Sequence, residues 1–143
     1  MQEVSVIIPN YNGMAYLEGV LSSLEQQEFQ NFETILVDNG SSDGSVAFTM
    51  GNYPWVHIIE LPDNFGFSRA VNEGIYAARA PYVLLLNNDT EVDRYFVGEM
   101  LAAIKRHRRA FSCSARMICY HDRDKLDDAG NYYCALGWAF ARG

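Results

Sequence analysis

Val4-Ser5-Val6-Ile7-Ile8-Pro9-Asn10-Tyr11-Asn12-Gly13 is the stretch from which the fold is read. Its first half is β-branched and almost wholly apolar, and Pro9 stops it. A short continuous apolar run ended in this way predicts a strand buried on both faces. Asn10-Tyr11-Asn12-Gly13 is turn chemistry. Met14, Leu17, Val20, Leu21 and Leu24 then recur at helical spacing. A second strand, Thr34-Ile35-Leu36-Val37, ends at Asp38. The polar run 39–44 follows it, with Ser41, Ser42 or Asp43 as cap of a short helix over 45–51.

The alternation continues. Val56-His57-Ile58-Ile59 reads as a third strand, and Asn64-Phe65-Gly66 as a loop. Ser68 is the expected N-cap of a helix with Val71, Gly74, Ile75 and Ala78 on its apolar stripe. Tyr82-Val83-Leu84-Leu85-Leu86 is the fourth strand, ending at Asn87-Asn88-Asp89. The helix after it carries Phe96, Val97, Met100, Leu101 and Ile104 inward. Residues 110–119 suggest a fifth strand. From Asp122 to Gly143 the periodicity fades, which reads as loop with a short strand at most. Strands alternating with helices predict an α/β domain, its sheet mostly parallel and doubly wound, with helices on both faces.

The chain has 143 residues, 49% of them hydrophobic and 20% charged, as in ordinary globular domains. One domain over 1–143 is expected. The net charge of −7 argues against a nucleic-acid partner, since phosphate backbones need a basic face. Cys113, Cys119 and Cys134 are odd in number and form no CxxC pair. This fits a reduced, cytoplasmic protein better than a disulfide scaffold, and zinc with His107 or His121 is disfavoured. Neither a signal peptide nor a membrane-spanning run is seen. The cluster Lys105-Arg106-His107-Arg108-Arg109 is explained by the macrodipole at a helix C-terminus. Peripheral contact with anionic lipid at the inner membrane face is its alternative reading.

Ligands of doubly wound sheets bind beyond the carboxyl ends of the strands. Those ends carry the unusual chemistry here. A carboxylate directly after a buried strand is costly unless paired or bound. Asp38 is placed to accept from a base N–H, Tyr11 to stack on that base, and Asp89 to hold a divalent cation through oxygen. Each also has a plain structural reading: Asp38 as a loop cap, Tyr11 as packing, Asp89 as an N-cap-like residue before the next helix. A helix start near Asn64 faces the same edge and favours phosphate. Arg69 in its first turn offers a bidentate phosphate contact or is a surface arginine. Pro9, Asn64 and Asn88 complete the candidate nucleotide-binding set.

Four segments resemble family 2 glycosyltransferases: residues 4–13, Leu-Val-Asp-Asn-Gly-Ser-Ser-Asp-Gly at 36–44, Asn-Phe-Gly-Phe-Ser-Arg-Ala-Val-Asn-Glu-Gly at 64–74, and Leu-Leu-Leu-Asn-Asn-Asp-Thr at 84–90. Their order and spacing match across nearly the whole chain. The resemblance implies a GT-A (Rossmann-like) fold and a nucleotide-diphospho-sugar donor. It implies transfer with inversion to a glycan or lipid-linked acceptor, as in polysaccharide and cell-wall biosynthesis. It also implies base contacts from Tyr11 and Asp38, and Mg²⁺ or Mn²⁺ on Asp89. The rhamnosyltransferase-like branch is the nearest, with a dTDP-sugar or UDP-sugar as donor. Asn87 stands where the family's metal motif has its first acidic residue. The family's catalytic base falls after a Gly-rich stretch like 130–143. The resemblance therefore places the base and the acceptor site beyond Gly143, and the chain as a C-terminally truncated, donor-binding part. Self-association through an open edge is an expected consequence. A nucleotidyltransferase and a non-catalytic nucleotide-binding or interaction module of the same fold are the alternatives. The loop after the first strand lacks the cation that a nucleotidyltransferase needs, and no GxGxxG supports a dehydrogenase.

Overall fold

The protein is described from a computed structural model, which covers residues 2–128, 131–133 and 139–141. The chain forms two compact units, Met1–Leu101 and Ala102–Gly143. In chain order the elements of the first unit are β1 (Val4–Asn10), α1 (Met14–Glu25), β2 (Phe32–Asp38), α2 (Ser45–Asn52), β3 (His57–Glu60), α3 (Phe67–Ala77) and β4 (Tyr82–Leu85). The helix α4 (Phe96–Arg106) follows, and then the short strands β5 (Met117–Ile118), β6 (Leu126–Asp128), β7 (Asn131–Tyr133) and β8 (Ala139–Ala141). The main sheet is wholly parallel in the order β3-β2-β1-β4.

Both faces of this sheet are covered, as the apolar runs predict. Ile7, Ile35 and Val37 lie on one face under Ala70 of α3. The alternate residues Val6, Ile8 and Leu36 are as completely buried. The apolar stripe of α1, Leu17, Val20, Leu21 and Leu24, is fully buried where helical spacing placed it. Val97 and Leu101 are the buried members of the α4 stripe. Gln27, also buried, ties these two helices together. Its amide nitrogen donates to the Ser23 and Asp93 carbonyls (3.0 and 2.7 Å), and its oxygen accepts the Val97 N–H (2.9 Å). An orphan first-turn amide of α4 is thus satisfied from a residue distant in sequence.

Several boundaries differ from the sequence expectation. β3 begins at His57 because the Val56 N–H turns back to the Tyr53 carbonyl (3.0 Å). β4 ends at Leu85, although Leu86 still donates to the Ile7 carbonyl (3.0 Å). Gly66, not Ser68, is the N-cap of α3, with φ at 85°. The Gly66 N–H donates to the Asn64 side-chain oxygen (2.9 Å), and that local turn sets where the helix starts. Ala70, Val71 and Gly74 form the buried face of α3, whereas Ile75 is 40% exposed. The cause is a close approach. A Cβ at Gly74 would collide with the Ile7 side chain and lie 3.1 Å from Val37. The helix therefore meets the sheet through 70 and 74 and turns Ile75 outward.

The expected strand over 110–119 contracts to Met117–Ile118, paired antiparallel with β6. Before it, the Ala110 N–H closes a turn on the His107 carbonyl (2.7 Å). Beyond Asp122 the described residues form the short strands β6, β7 and β8, more order than the loop expected there. Cys134 and most of 129–143 lie outside the described residues. Among the described strands of this sheet β4 is an outer one, with Val83 and Leu85 41% and 53% exposed. Among the described residues no helix is long and apolar enough to cross a membrane.

Thr34 presents a hydroxyl to the core with no hydrogen-bond partner among the described residues. An unsatisfied buried hydroxyl costs about 1–3 kcal/mol. Thr34→Val keeps the shape and removes that cost. It is expected to raise stability by roughly 1 kcal/mol in urea unfolding; a loss of stability would show that the hydroxyl has a partner.

Candidate functional site

The carboxyl ends of β1, β2 and β4 lie side by side, because β1 is flanked by β2 and β4. Asn10 is in register with Asp38, so two polar residues ending apolar strands face each other. Both are nearly inaccessible, at 2% and 3% exposure. Buried polar groups of this kind are tolerated only when satisfied. The Asn10 amide nitrogen donates to Asp38 Oδ1 (2.9 Å) and to Ser41 Oγ (3.3 Å). Its oxygen accepts from Asn88 Nδ2 (2.7 Å). Asp38 Oδ2 accepts the Ser41 N–H (2.9 Å).

The loops around this pair are stitched by further side chains. Asn12, at φ 48°, donates its N–H to Ser41 Oγ (2.8 Å), and its side-chain oxygen accepts the Ser42 N–H (2.9 Å). Asn39 donates to the Asn64 side-chain oxygen (2.9 Å) and to the Gly66 carbonyl (3.3 Å), and its own oxygen accepts the Phe65 N–H (3.0 Å). Asp43 accepts the Met14 N–H at the start of α1 (2.8 Å). It also accepts the Ser45 N–H (3.1 Å) and the Ser45 hydroxyl at the start of α2. None of the expected residues is the N-cap of α2: that position is Gly44, and Asp43 just before it bonds the first helical residue, Ser45.

A cavity of about 300 Å³ opens beside this network, lined in part by Pro9, Tyr11, Asn64, Phe67 and Ala70. Three of the expected nucleotide-binding residues, Pro9, Tyr11 and Asn64, therefore share one concavity. Tyr11 is half exposed, with its ring available for stacking. Phe67, 60% exposed, adds a second aromatic wall that sequence reasoning did not identify. Asn88 reaches the rim through Asn10 rather than through the cavity. Arg69 is exposed and pairs with Glu73 one turn on (2.7 Å). A phosphate contact would have to draw it away from that partner.

Asp89 is exposed and makes no side-chain hydrogen bond or ion pair among the described residues. The capping role is taken by Asp93, whose carboxylate accepts the Tyr95 N–H (2.9 Å) just before α4. The structural explanation for Asp89 therefore falls away. No group of three or more His, Cys, Asp or Glu side chains is arranged to hold a metal ion among the described residues. A single open carboxylate fits a hard cation that keeps waters and shares phosphate oxygens, as Mg²⁺ commonly does. It does not fit an all-protein metal cage.

The parallel sheet flanked by helices is of the GT-A type, as its likeness to the solved structures below shows. Residues 5–140 match the family described as Glycosyl transferase family 2, and the chain belongs to that family. It is 29% identical over 128 residues to a putative teichuronic acid biosynthesis glycosyltransferase, TuaG, of Bacillus subtilis (strain 168), covering 87% of this chain and 50% of the relative. Among solved structures it is similar to S. aureus TarS 1–349 in complex with UDP-GlcNAc. The TM-score is 0.69 and the identity 22%, over 82% of this chain and 38% of that one. A mannosyltransferase from Pyrobaculum calidifontis, in complex with GDP-Man and Mn²⁺, gives a TM-score of 0.63 at 22% identity over 82% of this chain and 35% of its own. The chain thus spans half or less of the length of these relatives.

Burial acts to raise the Asp43 pKa. Hydrogen bonds from the Ser45 hydroxyl, the Met14 N–H and the Ser45 N–H outweigh it and hold the carboxyl below its ordinary value. A depressed folded-state pKa means that the unfolded chain takes up the proton first as pH falls. The stabilising contribution is complete above the unfolded value of about 4 and is lost as pH drops through the folded one. The stability gap between the wild type and Asp43→Ala should therefore be constant above about pH 5 and narrow below about pH 4. Urea unfolding at a series of pH values measures it; a gap that persists to the lowest pH would show that Asp43 contributes by geometry alone.

Proposed function

We propose that this chain binds the nucleotide diphosphate of an activated sugar, a UDP- or dTDP-sugar. It would do so as the donor-binding part of an inverting glycosyltransferase acting on a glycan or lipid-linked acceptor. One observation carries the reading: Pro9, Tyr11 and Asn64 share a cavity beside buried Asp38, while the strand-end loop after β4, next to β1, bears the open carboxylate Asp89. The complex of TarS with UDP-GlcNAc and that of the mannosyltransferase with GDP-Man and Mn²⁺ support it. The name of the teichuronic acid relative supports a polysaccharide acceptor.

The residues divide the work. Tyr11 stacks on the base. An ionised carboxylate has about four acceptor positions; Asp38 uses two inside the chain and retains capacity for a base N–H. Asn64 keeps its amide nitrogen unpartnered among the described residues, beside the cavity. The Ala70 N–H is taken by the Gly66 carbonyl (3.3 Å), while the amides before it in α3 lie at the positive end of the helix, suited to diphosphate. Asp89, with diphosphate oxygens and water, would hold Mg²⁺ or Mn²⁺. Such a cation, held at Asp89, would supply charge neutralisation for the departing diphosphate. In the displacement, the acceptor hydroxyl oxygen forms its bond to the anomeric carbon as the bond to the diphosphate oxygen breaks, and the hydroxyl proton passes to a general base. No residue of this chain is assigned as the base.

Calorimetric titration with UDP, dTDP and GDP, each with and without Mn²⁺, tests the reading. UDP or dTDP is expected to bind more tightly with Mn²⁺, and Asp89→Asn to remove about tenfold or more of that gain. Absence of binding by all three nucleotides would remove the proposal. Binding indifferent to Mn²⁺ and to Asp89→Asn would favour a non-catalytic nucleotide-binding module.

A further inference from the structure

Asn10 is absent from the candidate site read from the sequence, yet its amide is the meeting point of three strand ends. It belongs to β1, donates to Asp38 at the end of β2, and accepts from Asn88 in the loop after β4. At 2% exposure its amide has no water to fall back on, so each of these bonds is costly to break. Asp38 lies at the base-binding end of the proposed site. Asn88 immediately precedes Asp89, which lies at its cation and diphosphate end. A second observation points to the same contact. A Cβ at Gly13 would collide with both Asn88 Nδ2 and Asn10 Oδ1. The backbone at 13 thus comes close only because it carries no side chain, and it packs directly against the Asn10–Asn88 pair.

We infer that Asn10 is a positioning residue that couples the two ends of the site. Through Asn10, the placement of Asp38 against the base fixes the loop that presents Asp89 to the cation and diphosphate. The inference rests on the nucleotide-sugar reading above and deepens it. Asn10 also lines the cavity, but its side-chain amide is engaged by Asp38, Ser41 and Asn88, so it acts on the site through those partners. Its effect is cooperativity: cation binding and base binding reinforce each other because one buried amide orders both loops.

The readout is the Mn²⁺ enhancement, the ratio of UDP dissociation constants without and with Mn²⁺, which cancels a uniform change in base affinity. It is measured by calorimetry on protein shown by circular dichroism and thermal melting to be folded. Asn10→Ala should lower the enhancement by about tenfold, the upper range for a net buried hydrogen bond. Asn88→Ala should lower it comparably, and the double variant should be no worse than Asn10→Ala, because both cut one linkage. Asn10→Asp keeps an acceptor for Asn88 but sets a second carboxylate against Asp38, and should also lose the enhancement. The reciprocal variant, Asn10→Asp with Asp38→Asn, restores a donor–acceptor pair with the roles exchanged. It should recover most of the enhancement, which a loss of packing alone could not do. An unchanged enhancement in folded Asn10→Asp, additive losses for positions 10 and 88, or no recovery in the reciprocal variant would each overturn the coupling. Failure of the wild type to bind UDP at all is a different result: it removes the donor-binding reading, and this inference with it.

Discussion

The arrangement of the rim depends on a single buried amide. Parallel strands bring their carboxyl ends to one edge, and the strands of this chain that end in a polar residue must satisfy it without water. Asn10 suits this position because one side chain offers both donors and an acceptor. It gives hydrogen to Asp38 and Ser41 and takes it from Asn88. A second aspartate there would place two carboxylates in contact, and an apolar residue would leave Asp38 buried with one fewer donor. The choice of asparagine at the end of β1 is therefore dictated by the neighbour that β2 supplies.

Around this amide the loops are organised by short polar side chains rather than by ion pairs. Asn12, Asn39, Asn64 and Asp43 each bridge to backbone groups in another loop or at a helix start. Such bonds are short and directional, so they fix loop geometry while leaving the surface free of fixed counter-charges. Asp38 and Asp43 are held by neutral donors, and Asp89 makes no side-chain hydrogen bond or ion pair among the described residues. On the proposed reading this is the useful condition: the carboxylate is available to a cation, and the base-binding carboxylate is already ordered before the nucleotide arrives.

The fold was largely legible because burial on both faces writes long apolar runs into β1 and β2, and helical spacing into α1. Errors arose where context set the boundaries. Ile75 lies on the apolar stripe by periodicity yet is exposed, because periodicity does not reveal that Gly74 must approach Ile7. Sequence pattern points to Ser68 as the α3 cap, whereas the turn closed by Asn64 starts the helix at Gly66. The expected strand over 110–119 shrank to its last residues, because apolar content alone does not supply a pairing partner. In the candidate site, Tyr11, Asp38 and Asp89 stand out in the sequence as unusual residues at strand ends, and Asn64 as part of a loop before a helix. Asn10 and Asn39 do not, although the same reasoning applies: a polar side chain at the end of a buried strand needs a partner just as a carboxylate does. Phe67 carried no distinguishing signal, since an aromatic in a first helical turn usually packs inward.

The sequence by itself determined that the sheet is parallel and which family the chain resembles, and it set the expectation that the carboxyl edge takes the ligand. These follow from hydrophobic periodicity and from residues fixed along the chain. Only the tertiary structure decided that Asp38 is enclosed and doubly satisfied while Asp89 is open, and that one asparagine stands between them. Those properties depend on the lateral order β2-β1-β4, with β4 joining β1 across a long crossover. Neighbours made by such a crossover are remote in sequence, and no local pattern records which side chain of one will meet which side chain of the other.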